Sequence, residues 1–209
     1  LPAFSGNDWE AIIRACKGNN VPDTWVIGDS KTMTINGVDY QIDIIGKNHD
    51  YYADGSGKAP LTFQMHDCYG TIYGMNTSDT NSGGWKDSAM RKTHLPAILR
   101  LMPEEVQSGI RYVNKKTSAG GESSTIETVA DELFLLSEVE ITGAVDSSFS
   151  YEGTQYAYYV AGNSIVKKLN GADANWWTRS PYKNNSFSFA RITSGGYSSS
   201  LPASGGIGV

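Results

Sequence analysis

The sequence has few cysteines, no long apolar run and no cluster of basic residues. Two cysteines in 209 residues are too few for a disulfide-stapled scaffold. No stretch approaches the roughly 20 apolar residues that a membrane-spanning helix needs. Lys and Arg total 17 against 22 Asp and Glu, a net charge of −5 that argues against a nucleic-acid surface. We therefore expect neither a nucleic-acid nor a membrane partner.

Signatures of common catalytic sites are also missing. There is no G-x-S-x-G, no H-E-x-x-H, no phosphate-binding loop and no dinucleotide fingerprint. His66 has a cysteine nearby, Cys68, but two ligands do not close a metal site. Glu138 and Glu140 are interpreted as acids on one face of a polar strand, solvated or matched to Lys or Arg. The sequence thus predicts neither enzymatic activity nor a cofactor.

Two further sets of residues leave alternatives open. Asp50 and Asp54 lie in a Gly-rich loop, 47–59, and are calcium candidates, although the loop lacks the EF-hand series and a solvated acidic turn is favoured. Cys16 and Cys68 could pair, but we favour two unpaired, small, buried hydrophobic side chains.

Gly and aromatic residues are abundant, with 23 Gly, 12 Tyr and five Trp. This composition predicts a folded protein with many turns. Residues 5–17 form an amphipathic pattern that predicts a helix, with Ser5 or Asn7 as N-cap and Gly18 as the stop. Its apolar stripe contains Trp9, Ile12, Ile13 and Cys16.

An Asn36-Gly37 turn between residues 31–35 and 38–45 predicts a hairpin. Strand-like alternation follows over residues 61–73. The pattern then predicts helices over 86–95, over 96–102 and from 103, and a strand over 111–116. Residues 131–141 are ambiguous between helix and strand. These elements predict an α+β fold with a small, twisted, largely antiparallel sheet, N-terminal helices and long loops. We expect one domain over 1–209, and the start at Leu1 suggests a piece of a longer chain.

The last segment, residues 175–209, begins with Trp176-Trp177 and continues with Ser, Asn, Gly and aromatic residues. Its short apolar positions predict strands buried on one face, and its polar positions resemble the composition of paratopes. Arg179 is either a ligand contact or a partly buried strut that stacks on Trp and bonds to backbone carbonyls. We favour the strut because Arg179 adjoins the aromatic anchor.

Several blocks along nearly the whole chain carry a resemblance to a known family. They are WVIGD (25–29), IIGKNHD (44–50), NSGGW (81–85), THLPAIL (93–99), LFLLSEVEI (133–141), QYAYY (155–159), AGNSIVKK (161–168) and WWTRSPY (176–182). The chain resembles a domain-of-unknown-function family common in prophage tail-region and surface proteins of Gram-positive gut bacteria. Its last segment is also similar to the variable proteins of diversity-generating retroelements, which have a C-type-lectin-like fold.

The resemblance implies a non-catalytic receptor- or ligand-binding domain of a phage tail or surface protein, located on a virion tail or an extracellular surface. Its partner would be a bacterial surface protein or a glycan. Alternatives are a structural virion subunit of a baseplate or decoration type, in contact with other subunits or copies of itself, and an enzyme related to sulfatase-modifying factors.

The resemblance also assigns positions. The anchor would be formed by Trp176, Trp177, Arg179 and Ser180. The framework would include Ala203-Ser204 and Gly208-Val209, with a terminal strand closing the domain. The presented ligand-binding surface would comprise Tyr182, Lys183, Asn184, Asn185, Ser186, Phe187, Arg191, Thr193, Tyr197, Ser198, Ser200, Leu201 and Pro202.

Overall fold

The computed structural model describes residues 2–149 and 151–209. Its helices are α1 (Trp9–Lys17), α2 (Gly84–Asp87), α3 (Leu95–Leu99), α4 (Glu104–Gly109), α5 (Glu138–Thr142) and α6 (Ala157–Val160). Its strands are β1 (Ser30–Ile35), β2 (Val38–Lys47), β3 (Leu61–Met65), β4 (Val113–Ser118), β5 (Ile126–Asp131), β6 (Lys167–Leu169), β7 (Ala172–Ala174), β8 (Trp176–Pro181), β9 (Ser188–Ile192) and β10 (Ser198–Pro202). A 3-10 helix, Phe4–Gly6, precedes α1, and a π-helix, Met90–His94, leads into α3.

The strands form two three-stranded and two two-stranded antiparallel sheets. Their orders are β1-β2-β3, β10-β9-β8, β4-β5 and β6-β7. Short helices lie between these sheets, so the predicted α+β class is confirmed, with several small sheets in place of one. Among the residues that the structure describes, no helix is both long and apolar enough to cross a membrane.

Helix α1 is confirmed, but its predicted start is wrong. The carboxylate of Asp8 accepts a hydrogen bond from the Ala11 amide at 2.7 Å, so Asp8 is the N-cap and the helix begins at Trp9. The helix ends at Gly18, as predicted. Asn7, one of the predicted caps, instead donates its side-chain amide to the carbonyl of Ala3 at 2.8 Å and closes the preceding turn.

The Asn36-Gly37 hairpin is confirmed by the register of β1 and β2. Ile35 pairs with Val38, and both turn residues have positive φ, 49° for Asn36 and 77° for Gly37, as a tight hairpin turn requires. The strand expected over 61–73 is shorter. It ends at Met65, because the chain beyond leaves β2 and turns toward the C-terminal sheet.

The central part of the chain is less regular than predicted. The helix expected over 86–95 breaks at Ser88, whose backbone is extended, and resumes as the π-helix and α3. The helix expected over 96–102 ends at Leu99, the helix expected from 103 is α4, and the strand expected over 111–116 is β4. In the ambiguous segment 131–141 the first part is irregular and the last is α5, which begins with a capping box between Ser137 and Glu140.

Strands β8 and β9 of the C-terminal sheet are buried on both faces, so the prediction of strands buried on one face is wrong for these two, whereas β10 is half-buried at the edge of the sheet. Trp177 and Phe189 pack in one hydrophobic cluster, while Trp176 and Ile192 pack in another. Every residue of β8 is buried. Strands β8 and β9 lie in the interior because residues from earlier in the sequence pack against both of their faces.

The predicted terminal strand is reduced to single bridges. Gly208 forms a parallel bridge with Trp176, and Ile207 forms an antiparallel bridge with Tyr73. The Trp177 amide donates to the Gly208 carbonyl at 3.0 Å. These residues therefore lie between the 69–73 segment and the start of β8.

Candidate functional site

Four loops from distant parts of the sequence meet at one end of the β8–β9–β10 sheet. They are residues 76–82, 119–123, 182–187 and 202–205, and together we call them the loop end. Hydrogen bonds connect each loop to another. Loops placed in this way on a rigid sheet are typical positions for binding residues.

Asn81 is the residue that connects three of these loops. It is fully buried, and its side-chain amide donates to the carbonyls of Asn185 and Ser188, both at 2.8 Å. Its side-chain oxygen accepts from the Gly121 amide at 2.8 Å, and its backbone amide donates to the Ser186 carbonyl at 2.8 Å. One buried side chain thus fixes the path of residues 185–188.

The glycines beside Asn81 permit this close packing. Gly84 has a positive φ of 57°, and a β-carbon there would lie 2.1 Å from the Ser118 carbonyl oxygen. No other residue fits at that distance, so the N-S-G-G-W block of residues 81–85 needs its second glycine. The fully buried indole of Trp85 donates to Asp131 at 2.8 Å and holds the same block against β5.

A second set of contacts fixes the 202–205 loop. The Ser204 hydroxyl and amide donate to the carboxylate of Asp79 at 2.6 and 3.0 Å. The Ala203 amide donates to the Phe187 carbonyl, and the Asn76 amide donates to the Ala203 carbonyl. The backbone that carries Phe187 is therefore held on two sides while the Phe187 side chain remains 46% exposed.

The predicted binding residues are divided between the two ends of the sheet. The exposed predicted residues at the loop end are Asn184, Ser186, Phe187 and Pro202; the half-buried ones there are Tyr182, Lys183, Asn185 and Leu201. Tyr197 is 63% exposed, but it lies in the 193–197 turn at the opposite end. The five residues of β9 separate the ends by about 16 Å. The predicted residues do not form one patch.

Four predicted surface positions in β9, in β10 and in the turn between them are buried or half-buried. Thr193 is buried, because its amide and hydroxyl bond to the backbone of Tyr197 and close the turn. The Ser198 hydroxyl donates to the buried carboxylate of Glu138. Arg191 is half-buried and pairs in register with Ser199 of the edge strand. Thr193 is therefore not presented at the surface, and the Ser198 hydroxyl is already bonded to Glu138. Ser200 is half-buried on β10.

Arg179 is a fully buried structural residue. Its guanidinium donates to the carbonyls of Lys116, Leu135 and Glu152 and to both carboxylate oxygens of Glu140. The expected bonds to backbone carbonyls are confirmed, but its burial is complete and its charged partner is Glu140. A side chain with no exposed surface makes no contact with a ligand.

Glu140 also bonds to a second buried cation, Lys115, at 2.7 Å. The Lys115 ammonium bonds further to Asp50 at 2.8 Å and to the Tyr156 hydroxyl at 3.0 Å. Burial acts to raise the pKa of Glu140 and of Asp50. For Glu140, the charges and hydrogen bonds of Arg179 and Lys115 outweigh burial. For Asp50, Lys115 and the hydrogen bonds from Thr62 and Tyr156 together outweigh burial, so the pKa of each carboxyl lies below its ordinary value. Two cations and two anions form a balanced network.

This network corrects the interpretation of the 47–59 loop. Asp50 is buried against Lys115, whereas Asp54 is exposed and pairs with Arg111 at 2.5 Å. Each carboxylate faces its own cation, so the two do not converge on a calcium site, and Asp50 is not solvated. Within residues 2–149 and 151–209, no three His, Cys, Asp or Glu side chains are grouped to hold a metal ion.

Glu152 lies next to the network and carries no full counter-charge. One carboxylate oxygen accepts from the Ser118 amide at 2.9 Å, and the other has no partner among the described residues. Complete burial raises the pKa of Glu152 to about 7. The side chain is therefore mostly protonated below pH 7 and about half protonated at that pH.

The carboxylate of Glu138 is buried as well, although it was expected on a solvated or salt-bridged strand. It accepts from the Ser147 amide at 3.0 Å and from the Ser148 hydroxyl at 2.5 Å, in addition to Ser198. Glu138 and Glu140 lie on α5, and a helix places them on different sides. Glu138 thus connects the 147–148 loop to the edge strand.

The comparisons with known proteins give a family but no function. The model of the family described as Domain of unknown function (DUF6273) matches residues 62–209. The chain belongs to the DUF6273 family. No curated protein matches the chain, and no solved structure does. The matched DUF6273 segment contains all four loops of the loop end and the buried charges at 115, 140 and 179; α1, β1 and β2 precede it.

The cysteines of this DUF6273 chain are unpaired, as predicted, but only Cys68 is buried; Cys16 is half-buried, so the expected burial of both thiols is wrong for Cys16. Burial raises the pKa of both Cys16 and Cys68 to about 11, which is typical of inert structural thiols. His66 bonds to the buried carboxylate of Asp43 at 2.7 Å.

The sequence contained a signal for the DUF6273 loop end that the prediction missed. Asn81 opens the NSGGW block of residues 81–85, to which the sequence prediction assigns no binding or structural role. An Asn before two glycines indicates a backbone turn with a polar side chain available for capping. Its partners, however, lie 104 and 107 positions away and could not be named from local sequence.

Proposed function

We propose that the protein is a non-catalytic binding domain that uses the loop end to contact a bacterial surface protein or glycan. The observation that carries this proposal is the contrast at residues 184–187. Their backbone is held by the buried side chain of Asn81, while Asn184, Ser186 and Phe187 are exposed. A loop that is already ordered before binding loses less conformational entropy when it meets a partner.

The chemistry of the exposed residues supports the same function. Phe187 offers a rigid aromatic surface, and Asn184 and Ser186 offer adaptable hydrogen-bonding groups beside it. An aromatic anchor with small polar neighbours is the common composition of binding loops. A C-type-lectin-like fold and a place in a phage tail or bacterial surface protein are part of this proposal and rest on the sequence resemblance.

The test measures binding of the fluorescently labelled protein to intact Gram-positive gut bacteria by flow cytometry. Phe187→Ala should weaken binding at least tenfold, since truncating a central aromatic contact costs about 2 kcal/mol or more. Tyr197→Ala is the matched control, because Tyr197 is an exposed aromatic residue at the opposite end of the sheet. Its binding should stay within twofold of the wild type.

Treatment of the cells identifies the chemical class of the partner, and two outcomes would contradict the proposed surface. Treating the cells with protease or with periodate distinguishes a protein partner from a glycan. Equal binding by wild type and Phe187→Ala, with unchanged melting temperatures, would contradict the loop-end proposal. A loss with Tyr197→Ala alone would move the binding surface to the other end of the sheet.

A structural virion subunit is a second candidate, favoured by the position of β10. This strand is the edge of its sheet, and it is short and rich in serine. An unpaired edge can add a strand from a neighbouring subunit or a second copy of the chain. Replacing Ser199, the second residue of β10, with Pro should then abolish assembly, measured by light scattering, without affecting cell binding.

The third alternative, an oxidative enzyme related to sulfatase-modifying factors, would need reactive cysteines. Cys68 packs in the cluster with Trp176, and Cys16 packs beside a different cluster that contains Trp25. The high pKa of both thiols supports structural roles, so we rank this function last.

A further inference from the structure

An apolar cavity of about 210 Å³ lies between helices α1 and α4 and the first sheet, away from the loop end. Helices α1 and α4 form one wall, strand β3 forms a second, and residues 132–134 form a third. Protein interiors are usually packed with few voids larger than a water molecule, so a space of this size is unusual. Its lining is mainly aliphatic and aromatic.

The walls of the cavity are held in place without a ligand. Phe63 stacks on Phe4 with ring centroids 6.0 Å apart and meets the edge of Trp9 at 5.9 Å. At the opening, the Arg111 guanidinium lies 3.8 Å from the ring centre of Tyr52 and also bonds to Asp54. Preformed, mostly apolar spaces with a few polar groups at one end are typical of small-molecule sites.

The charged side chains around the cavity balance one another, so they favour neither an anionic nor a cationic ligand. Lys17 and Arg111 are exposed at its opening, and Glu132 and the Asp54 that binds Arg111 oppose them. Asp50 also contributes to the lining, but its carboxylate is already bonded to Lys115, Thr62 and Tyr156. The interior therefore selects for apolar surface and provides no free charged partner.

We propose that this cavity binds a small, neutral, amphipathic molecule through an aliphatic or aromatic tail of about eight carbon atoms, with its polar end at Lys17 and Arg111. The size follows from comparison with a dry apolar cavity of about 150 Å³, which accepts benzene. The proposal is independent of the loop end, because none of the four loops contributes to the cavity lining.

The test uses octan-1-ol as the probe and follows the methyl resonances of Ile12 and Ile13 by NMR. These side chains line the cavity, and the methyl groups of exposed Ile72 serve as an internal control. We expect saturable shifts at Ile12 and Ile13 and none at Ile72. Ile13→Phe, which fills the space, should weaken binding at least tenfold, while Val160→Phe, an equivalent change at an exposed site, should leave it unchanged.

A second variant covers the case in which Ile13→Phe does not fold. A β-carbon at Gly109 would lie 2.5 Å from the tip of the Ile13 side chain, so Gly109→Ala should push that side chain and weaken binding at least threefold. Octanoate and octylamine should bind within tenfold of octan-1-ol. Three results would each overturn the proposal: no saturable shifts, unchanged binding by Gly109→Ala and by any folded Ile13→Phe protein, or a preference of more than tenfold for one head-group charge.

Discussion

Gly120 approaches Asn81 so closely that a β-carbon at Gly120 would lie 1.8 Å from the Asn81 carbonyl oxygen. We expect Gly120→Ala to lower the free energy of unfolding by about 3 kcal/mol or more, because strain at a φ of 72° adds to the clash. Gly121→Ala is the control. Gly121 also has a positive φ, 60°, but it has open space around it, so the cost should be about 1 kcal/mol. Urea denaturation measures both, and equal losses would contradict the role of the contact.

The Asn81 side chain should determine the order of the 182–188 loop. Asn81→Ala leaves two close carbonyl oxygens and the Gly121 amide without their partner, at a cost of about 2–4 kcal/mol. Hydrogen exchange of a peptide covering residues 182–190 should accelerate at least tenfold. Asn184→Ala, in the exposed part of the same loop, should change stability by less than about 0.5 kcal/mol. Unaltered exchange in Asn81→Ala would show that the loop is held by other contacts.

The buried pair of Arg179 and Glu140 should be strongly coupled. Arg179→Met alone is expected to cost about 3–5 kcal/mol, since it leaves Glu140 with only Lys115 as counter-charge. Adding Glu140→Gln leaves Lys115 and Asp50 as a balanced pair. The loss of unfolding free energy in the double variant should therefore be smaller, by at least about 1 kcal/mol, than the sum of the losses in the two single variants. The exposed pair of Glu10 and Arg14 is the control, with expected coupling below about 0.5 kcal/mol.

Glu152 should make stability depend on pH. Its pKa of about 7 in the folded protein lies above the ordinary value of 4.5, so the protonated acid stabilises the fold. This contribution is fully present below about pH 4.5 and is lost as the pH rises through about 7. Glu152→Gln has no proton to lose. The unfolding free energy of Glu152→Gln minus that of the wild type should therefore rise by about 2 kcal/mol from pH 5 to pH 8, because only the wild type loses this contribution. A difference that stays constant across this range would contradict the protonated state.

Local signals predicted the elements that depend on local chemistry. The Asn36-Gly37 hairpin and the end of α1 at Gly18 were correct, because positive φ and helix termination are properties of a few adjacent residues. The start of α1 was missed because Ser5, Asn7 and Asp8 are all good caps, and only the bond from the Ala11 amide to Asp8 distinguishes them.

The candidate site was predicted less well, because burial is decided by distant parts of the chain. Asp50 and Glu140 looked like surface acids, yet Lys115 and Arg179 come to them from 65 and 39 positions away. Serine-rich β10 looked like an exposed strand face, but Glu138 reaches the Ser198 hydroxyl. Neither the partners nor the covering elements have a signal in the local sequence.

The bonds of Asn81 also have a kinetic consequence. Its carbonyl partners lie 101 to 107 positions further along the chain, so they meet only after a very large loop has closed. Contacts of such separation form late and slow the folding of a domain. The loops that Asn81 connects would then be among the last parts of the protein to acquire their shape. Substitutions at Asn81 should accelerate unfolding and leave the folding rate nearly unchanged.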